Sequence, residues 1–303
     1  MISTSLITLP HGITLSCRSA GEAGRPVLMF LHGFPEAAFV WDGLLTHFAQ
    51  PKNGGFRCIA PNLRGFEQSS APTDVSAYRP RQLVQDIAAL ITSEGGQLEC
   101  LVAHDWGGAV AWNLAASQPH WIKKLAIINS PHPGTFLREL QHSPAQQAAS
   151  AYMNFLIRPD AEALLAENDY QRLWTFLTGL GGREAGTAWL TDELRSQYRA
   201  VWQHGLSGAL NYYRASPLRP PRPGPPHHDP AAAAVTLPRE ILEVHLRTLV
   251  IWGLDDSALP PTLLDGLTDY VPNMEVQRVA GASHWIVHEQ PELVTRYLQA
   301  FLA

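Results

Sequence analysis

The stretch Leu101-Val102-Ala103-His104-Asp105-Trp106-Gly107-Gly108 joins a predicted strand to a predicted helix. Its first three residues form a short apolar run typical of a buried strand, and residues 109–116 continue with a helical pattern. A residue on such a sharp strand-to-helix turn is held in a strained backbone conformation, with its side chain lifted clear of the sheet. Ala103 and Gly107 are small enough for the close approach of strand and helix that the turn requires. The stretch therefore predicts that the carboxylate of Asp105 is displayed at the end of a central strand.

Apolar runs and helical patterns alternate on both sides of this stretch. Predicted strands lie at 3–9 and 12–18 (an antiparallel edge hairpin), 27–31, 57–60, 124–129, 246–252 and 274–279. Predicted helices lie at 41–48, 82–91, near 260–268 and from 291 onwards. This alternation favours a mostly parallel sheet with helices on both faces.

A different pattern interrupts the alternation in the middle of the chain. Residues 134–215 are helical in pattern and rich in aromatic side chains, and residues 217–230 contain seven prolines, a composition that favours an extended or mobile loop. We therefore expect a core formed by residues 1–133 and 241–303. A helical cap, residues 134–240 with the proline-rich loop 217–230, is inserted between its two parts.

The composition limits the class of protein. The chain has 303 residues, of which 46% are hydrophobic and 16% charged, as in globular domains. A formal charge of −5 predicts no nucleic-acid or membrane partner, and no apolar run reaches the ~18 residues of a membrane span. Three widely spaced cysteines and no evident secretory signal favour a reducing, cytoplasmic setting. A homodimer is one possibility, because the sequence does not determine the oligomeric state.

Two further residues follow the last two strands of the core. Asp256, beside Asp255, comes after the strand at 246–252, and His284 comes after the strand at 274–279. The order Asp105, Asp256, His284 is the order nucleophile, acid, base found in α/β-hydrolases. Because strand ends converge at one edge of a parallel sheet, these distant residues can meet there.

Four motifs make the chain resemble the α/β-hydrolase-fold epoxide hydrolases over nearly its whole length. They are His32-Gly33-Phe34-Pro35-Glu36, Arg64-Gly65-Phe66, His104-Asp105-Trp106-Gly107-Gly108 and Asn129-Ser130-Pro131-His132-Pro133. The resemblance implies an α/β-hydrolase fold, with a mostly parallel eight-stranded sheet and an inserted helical cap. Two departures are Ala103, where the family usually has glycine, and the long loop at 217–230.

The resemblance also implies roles for individual residues. Asp105 is the nucleophile, His284 the base and Asp256, favoured over Asp255 by the family spacing, the orienting acid. Tyr152 and Tyr213 form an acid pair in the cap, with Tyr212 as the alternative to Tyr213. The backbone N–H groups of Phe34 and Trp106 form an oxyanion hole. The expected substrate contacts are His32, Pro35 and His104.

These residue types predict a two-step reaction on a small epoxide. An aspartate, with an ordinary pKa of about 3.9, is ionised at neutral pH and can attack carbon directly. A tyrosine hydroxyl, with an ordinary pKa of about 10, can protonate the departing epoxide oxygen. His284, oriented by Asp256, then activates water to hydrolyse the ester on Asp105. The product is a vicinal diol, and we expect no metal or organic cofactor to be needed.

Other functions are open to a chain with an aspartate nucleophile. A haloalkane-type dehalogenase is the main alternative, but such enzymes usually carry asparagine where this chain has Phe34. Fluoroacetate dehalogenases place arginines where this chain has Trp106 and Ala109. A binding protein without catalytic activity is disfavoured, because it would not need a complete set of nucleophile, acid and base. An esterase is disfavoured, because a carboxylate attacking an ester would give an anhydride.

Structural interpretations also compete for the same side chains. Asp105 alone suits the N-cap of a helix. His284 alone suits a structural histidine, and the two tyrosines suit core aromatics of the cap. His284 and His288 are spaced as a metal pair would be, but the sequence places no third ligand nearby. His227-His228 is expected to be a solvated part of the loop.

Overall fold

A single eight-stranded sheet organises the structure, a computed structural model that describes residues 1–180, 186–222 and 229–303. The strand order is β1-β2-β4-β3-β5-β6-β7-β8. The strands are β1 (Ser3–Thr8), β2 (Thr14–Ala20), β3 (Val27–Leu31), β4 (Arg57–Pro61), β5 (Leu98–His104), β6 (Ile122–Ile128), β7 (Arg247–Gly253) and β8 (Met274–Val279). β2 pairs antiparallel with β1 and β4, and all other pairs are parallel. The predicted mostly parallel α/β fold is confirmed.

The central strands are apolar on both faces because helices cover both faces. β3 is buried at every residue, and Phe30 pairs with Val102 of β5 in the parallel register. The edge strand β1 is largely exposed, as expected of a strand that pairs on one side only.

Helices pack on both faces of this sheet and fill the long connection between β6 and β7. The α-helices are α1 (Asp42–Phe48), α2 (Pro80–Ser93), α3 (Asp105–Ser117), α4 (Pro133–His142), α5 (Pro144–Ala149), α6 (Tyr152–Leu156), α7 (Ala161–Gly179), α8 (Asp192–Trp202), α9 (Ser207–Ala215), α10 (Ile286–Glu289) and α11 (Pro291–Leu302). α2 and α3 contribute to one apolar cluster, and α1 and α11 contribute to the other. No helix among the described residues is long and apolar enough to cross a membrane.

Helices α4 to α9 follow β6 directly, in the segment whose sequence pattern is helical. α7 is interrupted at residues 167–170, whose dihedral angles are not helical. Within the proline-rich segment, Arg222 and Asp229 form an isolated bridge. His227 and His228 lie outside the described residues.

The prediction of a helix near 260–268 is wrong. Two separate 3₁₀ turns, Pro261–Leu264 and Leu267–Asp269, occupy this stretch. Gly266, between them, has a φ of 69°, a left-handed conformation that an α-helix cannot contain. The segment therefore turns twice instead of forming one continuous helix.

The start of α3 lies unusually close to β3. A Cβ atom added to Gly107 would lie 2.5 Å from the carbonyl oxygen of Leu31 and 2.6 Å from that of His32. Both neighbours are backbone atoms, one in the last residue of β3 and one in the residue after it, so they cannot move aside as a flexible side chain could. The contact confirms the close approach of strand and helix expected at the turn.

We expect Gly107→Ala to lower the free energy of unfolding by about 1–3 kcal/mol, because the added methyl overpacks the junction between helix and sheet. Chemical denaturation of the purified protein measures this difference. Gly43→Ala is the matched control, because nothing lies within 4 Å of a Cβ at Gly43 in α1. Equal effects of the two substitutions would contradict the packing argument.

Candidate active site

The turn that carries Asp105 is strained and held from several sides. Asp105 has a φ of 49°, a left-handed conformation that costs free energy for a residue other than glycine. The Ser130 hydroxyl donates a hydrogen bond to the Asp105 carbonyl at 2.6 Å. The N-cap of α3 is His104 and not Asp105, so the alternative that Asp105 is the N-cap is wrong.

The carboxylate of Asp105 is oriented by the backbone of the β3 loop. Its Oδ1 accepts a hydrogen bond from the N–H of Phe34 at 2.7 Å, and its Oδ2 lies 3.7 Å from His284 Nε2. Trp106 follows in the first turn of α3, where backbone N–H groups have no partner within the helix. Phe34 and Trp106 therefore each place a backbone N–H group beside Asp105.

His284 is fixed by a buried carboxylate on its other side. Its Nδ1 lies 2.7 Å from Asp256 Oδ2, whereas Asp255 is exposed. Asp256 Oδ1 accepts hydrogen bonds from the N–H groups of Ala258 and Leu259 at 2.9 and 2.8 Å. With Nδ1 on Asp256, the Nε2 of His284 is directed at Asp105.

Three carboxylates control the protonation of His284. Burial lowers its pKa, but the charge and hydrogen bond of Asp256 and the charges of Asp105 and Glu36 outweigh burial, and the pKa rises to about 9. In the free protein at neutral pH, His284 therefore carries a proton. Asp105 is one of the groups that keep it there.

Asn129 completes the support of Asp256, and our sequence analysis assigned it no role. Its side-chain amide donates to Asp256 Oδ2 at 2.7 Å, and its Oδ1 accepts from the N–H of Gly253 at 2.9 Å. The residue has a φ of 38°, another left-handed conformation at a strand end. Its place directly after β6, at the same sheet edge as Asp105, was the available signal.

Tyr152 of α6 and Tyr213 of α9 line the same cavity as Asp105. Their ring centres are 6.3 Å apart, and Tyr213 packs edge-on against Trp106 at 5.0 Å and Phe34 at 5.3 Å. Burial and then nearby charges, including that of Asp105, raise the pKa of both phenols well above the ordinary value. Both therefore hold their protons at neutral pH.

Tyr212, the alternative to Tyr213, uses its hydroxyl elsewhere. The ring borders the cavity, but the O–H donates to the backbone carbonyl of Arg64 at 2.9 Å. The neighbouring tyrosine is therefore the one whose phenol lies near Tyr152 and Asp105.

The cavity has a volume of about 240 Å³. Apart from Asp105 and the tyrosines, most of its lining is apolar, and no other charged side chain borders it within the described part of the chain. Representative lining residues are Leu83, Val110, Phe136, Met153, Leu218 and Leu259. The arrangement brings one carboxylate and two phenols together in an apolar pocket.

His32, Pro35 and His104, the expected substrate contacts, are all buried and do not border the cavity. His32 Nε2 accepts from the N–H of Leu63 at 3.0 Å, and burial lowers its pKa to about 4. His104 lies 3.1 Å from Glu36 and 2.9 Å from the His284 carbonyl oxygen. The carbonyl of Pro35 accepts from the indole of Trp202 at 2.7 Å. These groups hold the site in place from behind.

Glu36 forms a buried polar cluster that our sequence analysis did not predict. Its Oε1 accepts from the Tyr198 hydroxyl at 2.9 Å and lies 2.7 Å from His288 Nε2. Burial raises its pKa, but hydrogen bonds from His104 and His288 outweigh burial and hold it well below the ordinary value. His288 is thus paired with Glu36, and no group of three His, Cys, Asp or Glu side chains in the described ranges is arranged to hold a metal ion.

Comparisons with known proteins found a matching family and several relatives. The profile of a family described as alpha/beta hydrolase fold matches residues 26–291. The AB hydrolase superfamily protein YfhM of Bacillus subtilis (strain 168) is 35% identical over 96% of this chain and 95% of its own. Epoxide hydrolase 4 of Mus musculus is 32% identical over 96% of this chain and 77% of its own. The structure of a mutant epoxide hydrolase from Bacillus megaterium is 30% identical, with a TM-score of 0.85 over 98% of this chain and 99% of that one.

We expect Asp256→Asn to lower the pKa of His284 below its value of about 9, because the substitution removes the carboxylate charge that raises it most. An NMR titration of the histidine ring measures this change. Asp255→Asn is the matched control, since Asp255 is exposed. An unchanged pKa in Asp256→Asn, or an equal shift in both variants, would contradict this account of the site.

Proposed function

The chain belongs to the alpha/beta hydrolase family, and from this premise we propose that it hydrolyses epoxides to vicinal diols through a covalent ester on Asp105. One observation carries the proposal. The Asp105 carboxylate and the phenols of Tyr152 and Tyr213 line one apolar cavity, with His284 Nε2 3.7 Å from Asp105. Ring opening needs a nucleophile on one side of the substrate and a proton donor on the other.

In the first step, a carboxylate oxygen of Asp105 forms a bond to a ring carbon while the bond from that carbon to the epoxide oxygen breaks. The departing oxygen accepts a proton from the tyrosine pair, because an alkoxide is a poor leaving group. Acid catalysis of this kind typically accelerates a reaction by about 10²–10⁴-fold. The raised pKa of both phenols keeps them protonated until a strongly basic oxygen develops.

In the second step, His284 takes a proton from water, and the hydroxide attacks the ester carbonyl of Asp105. The N–H of Phe34, which donates to Asp105 Oδ1 at 2.7 Å, and the N–H of Trp106 stabilise the oxyanion that forms. The ester bond breaks, the departing alkoxide takes the proton of the carboxyl group that forms, and the diol leaves Asp105 as a carboxylate. His284 keeps the proton that it took from water, which restores the protonated imidazole of the starting state.

The charges of the site set the order of these steps. Before the reaction, the charge of Asp105 helps to keep His284 protonated. Ester formation removes that charge, so the pKa of His284 falls. The imidazolium then gives its proton to the phenolate left by the first step, and the neutral ring becomes available as a base. The imidazole is therefore activated when the ester that needs it has formed.

The helices between β6 and β7 act in this proposal as a cap over the core. Tyr152 and Tyr213 lie on α6 and α9, whereas Asp105, Asp256 and His284 follow strands of the sheet. The acid and the nucleophile therefore come from different parts of the fold. Substrate binds between residues 134–240 and the two core segments, 1–133 and 241–303.

We also propose that the protein works in a reducing compartment such as the cytoplasm. Cys17, Cys58 and Cys100 are all free and buried. Burial is the largest cause that raises the pKa of the Cys17 and Cys58 thiols to about 12. Such thiols are unreactive and serve as small apolar side chains.

A panel of aryl and alkyl epoxides, offered with matched haloalkanes, tests the proposed function. We expect diol from at least one epoxide and none in Asp105→Ala. In His284→Gln the ester on Asp105 should accumulate as added mass on the intact protein. The variant that carries both substitutions is the control and should acquire no such mass.

Two outcomes would contradict the proposal. Halide release without diol formation would assign the aspartate nucleophile to dehalogenation. Diol formation that survives Asp105→Ala would remove Asp105 from the reaction.

We expect the rate of ester hydrolysis in single turnovers to rise with pH and to level off through an inflection below 9. Protonated His284 cannot accept a proton from water, so acid slows this step. The inflection lies below the free-protein pKa of about 9 because the ester has neutralised Asp105. Rapid-mixing measurements of ester decay across this range check the expectation, and an inflection at or above 9 would refute the charge argument.

A further inference from the structure

Two adjacent tyrosines of α9 have different surroundings. The phenol of Tyr213 lies near Tyr152 and Asp105, whereas that of Tyr212 donates to the Arg64 backbone carbonyl at 2.9 Å. Trp106, the residue after Asp105, packs edge-on against the ring of Tyr212 at 5.5 Å and against that of Tyr213 at 5.0 Å, measured between ring centres. α9 thus contacts the core through Tyr212 as well as at the site itself.

The acceptor of the Tyr212 hydroxyl is a rigid part of the core. The Arg64 guanidinium donates to both oxygens of Asp86, at 2.7 and 2.5 Å, and to the Ala77 carbonyl at 2.8 Å. Arg64 and Asp86 are both buried, so breaking their pair would strand a charge away from water. The Arg64 carbonyl is therefore a fixed point from which α9 can be positioned.

The first turn of α9 rests on the same loop. A Cβ atom added to Gly208 would lie 2.4 Å from the Cα of Gly65, and one added to Gly65 would lie 2.7 Å from the carbonyl carbon of Gly208. Gly65 also has a φ of 87°, which favours glycine. The two backbones are in direct contact, so a side chain at either position would push α9 away from the core.

We propose that Tyr212 is a positioning residue for Tyr213. Its hydrogen bond to Arg64, together with the Gly65–Gly208 contact, sets the distance of the Tyr213 phenol from Asp105. This inference rests on the proposed function, in which Tyr213 protonates the epoxide oxygen. Protonation depends steeply on position, since a displacement of ~1 Å can cost on the order of 100-fold in rate.

A double-mutant cycle in the His284→Gln background isolates this role, because that background stops the reaction at the ester. The measured quantity is the rate of ester formation on intact protein at saturating epoxide. We expect Tyr212→Phe to slow it roughly tenfold with little change in half-saturation, because the ring is retained. Tyr213→Phe should slow it by about 100-fold or more. Adding Tyr212→Phe to Tyr213→Phe should then slow it no further, since Tyr212 acts through the Tyr213 hydroxyl.

Two variants separate this effect from a general loosening of the cap. Tyr170→Phe is the matched control, because Tyr170 packs on Trp202 at 5.3 Å and does not border the cavity, so ester formation should keep its rate. Gly208→Ala displaces α9 without touching a hydroxyl and should slow ester formation by at least as much as Tyr212→Phe. Thermal unfolding of every variant identifies any that has lost its fold. If Gly208→Ala does not fold, the result for Tyr212→Phe decides the test.

The outcomes distinguish failure of the positioning role of Tyr212 from failure of the proposed epoxide hydrolysis. Ester formation that Tyr212→Phe leaves unchanged, or slows equally with and without the Tyr213 hydroxyl, overturns the positioning role alone. A His284→Gln protein that forms no ester with an epoxide turned over by the unmodified protein overturns the covalent route, and the inference with it.

Discussion

The left-handed turn at Asp105 is the constraint on which the rest of the site depends. Its φ of 49° aims the carboxylate away from the sheet and toward the cavity. The surrounding structure must compensate for this strain, and it does so with the Ser130 hydroxyl, the Phe34 N–H and the tight contact at Gly107. A flexible loop could carry the same residue but could not hold it in one orientation.

Charge is the second organising factor. Asp105, Asp256 and Glu36 surround His284, and their combined field raises its pKa against the effect of burial. Each carboxylate has its own donors, from backbone N–H groups, the Asn129 amide or the cluster around Glu36. Because interactions between charges are strong in a poorly solvated site, neutralising one carboxylate changes the behaviour of its neighbours. The proposed reaction uses this coupling to pass from the first step to the second.

Helices α8 and α9 contact the sheet and its loops at two places. Behind the cavity, Glu36 of the core binds Tyr198 of α8, and Pro35 binds Trp202 of the same helix. On the other side, the loop at Arg64 supports α9. These contacts hold α8 and α9 on two sides of the cavity, as the acid catalysis that we propose requires.

The sequence by itself determined the alternation of strands and helices, the turn at Asp105 and the family. These features depend on residues close together in the chain, such as the apolar run before His104 and the small Ala103 and Gly107 around the turn. Side-chain direction was decided only by the tertiary structure, because it depends on packing between distant segments. Asp255 and Asp256 are adjacent in the chain, yet the first is exposed and the second is buried. Tyr212 and Tyr213 are also adjacent, yet the hydroxyl of Tyr212 binds the Arg64 carbonyl and that of Tyr213 lies near Asp105. For the same reason His32 and His104 face inward, and the support from Asn129 and Glu36 emerged only when β6 and the β3 loop met His284 and Asp256 in space.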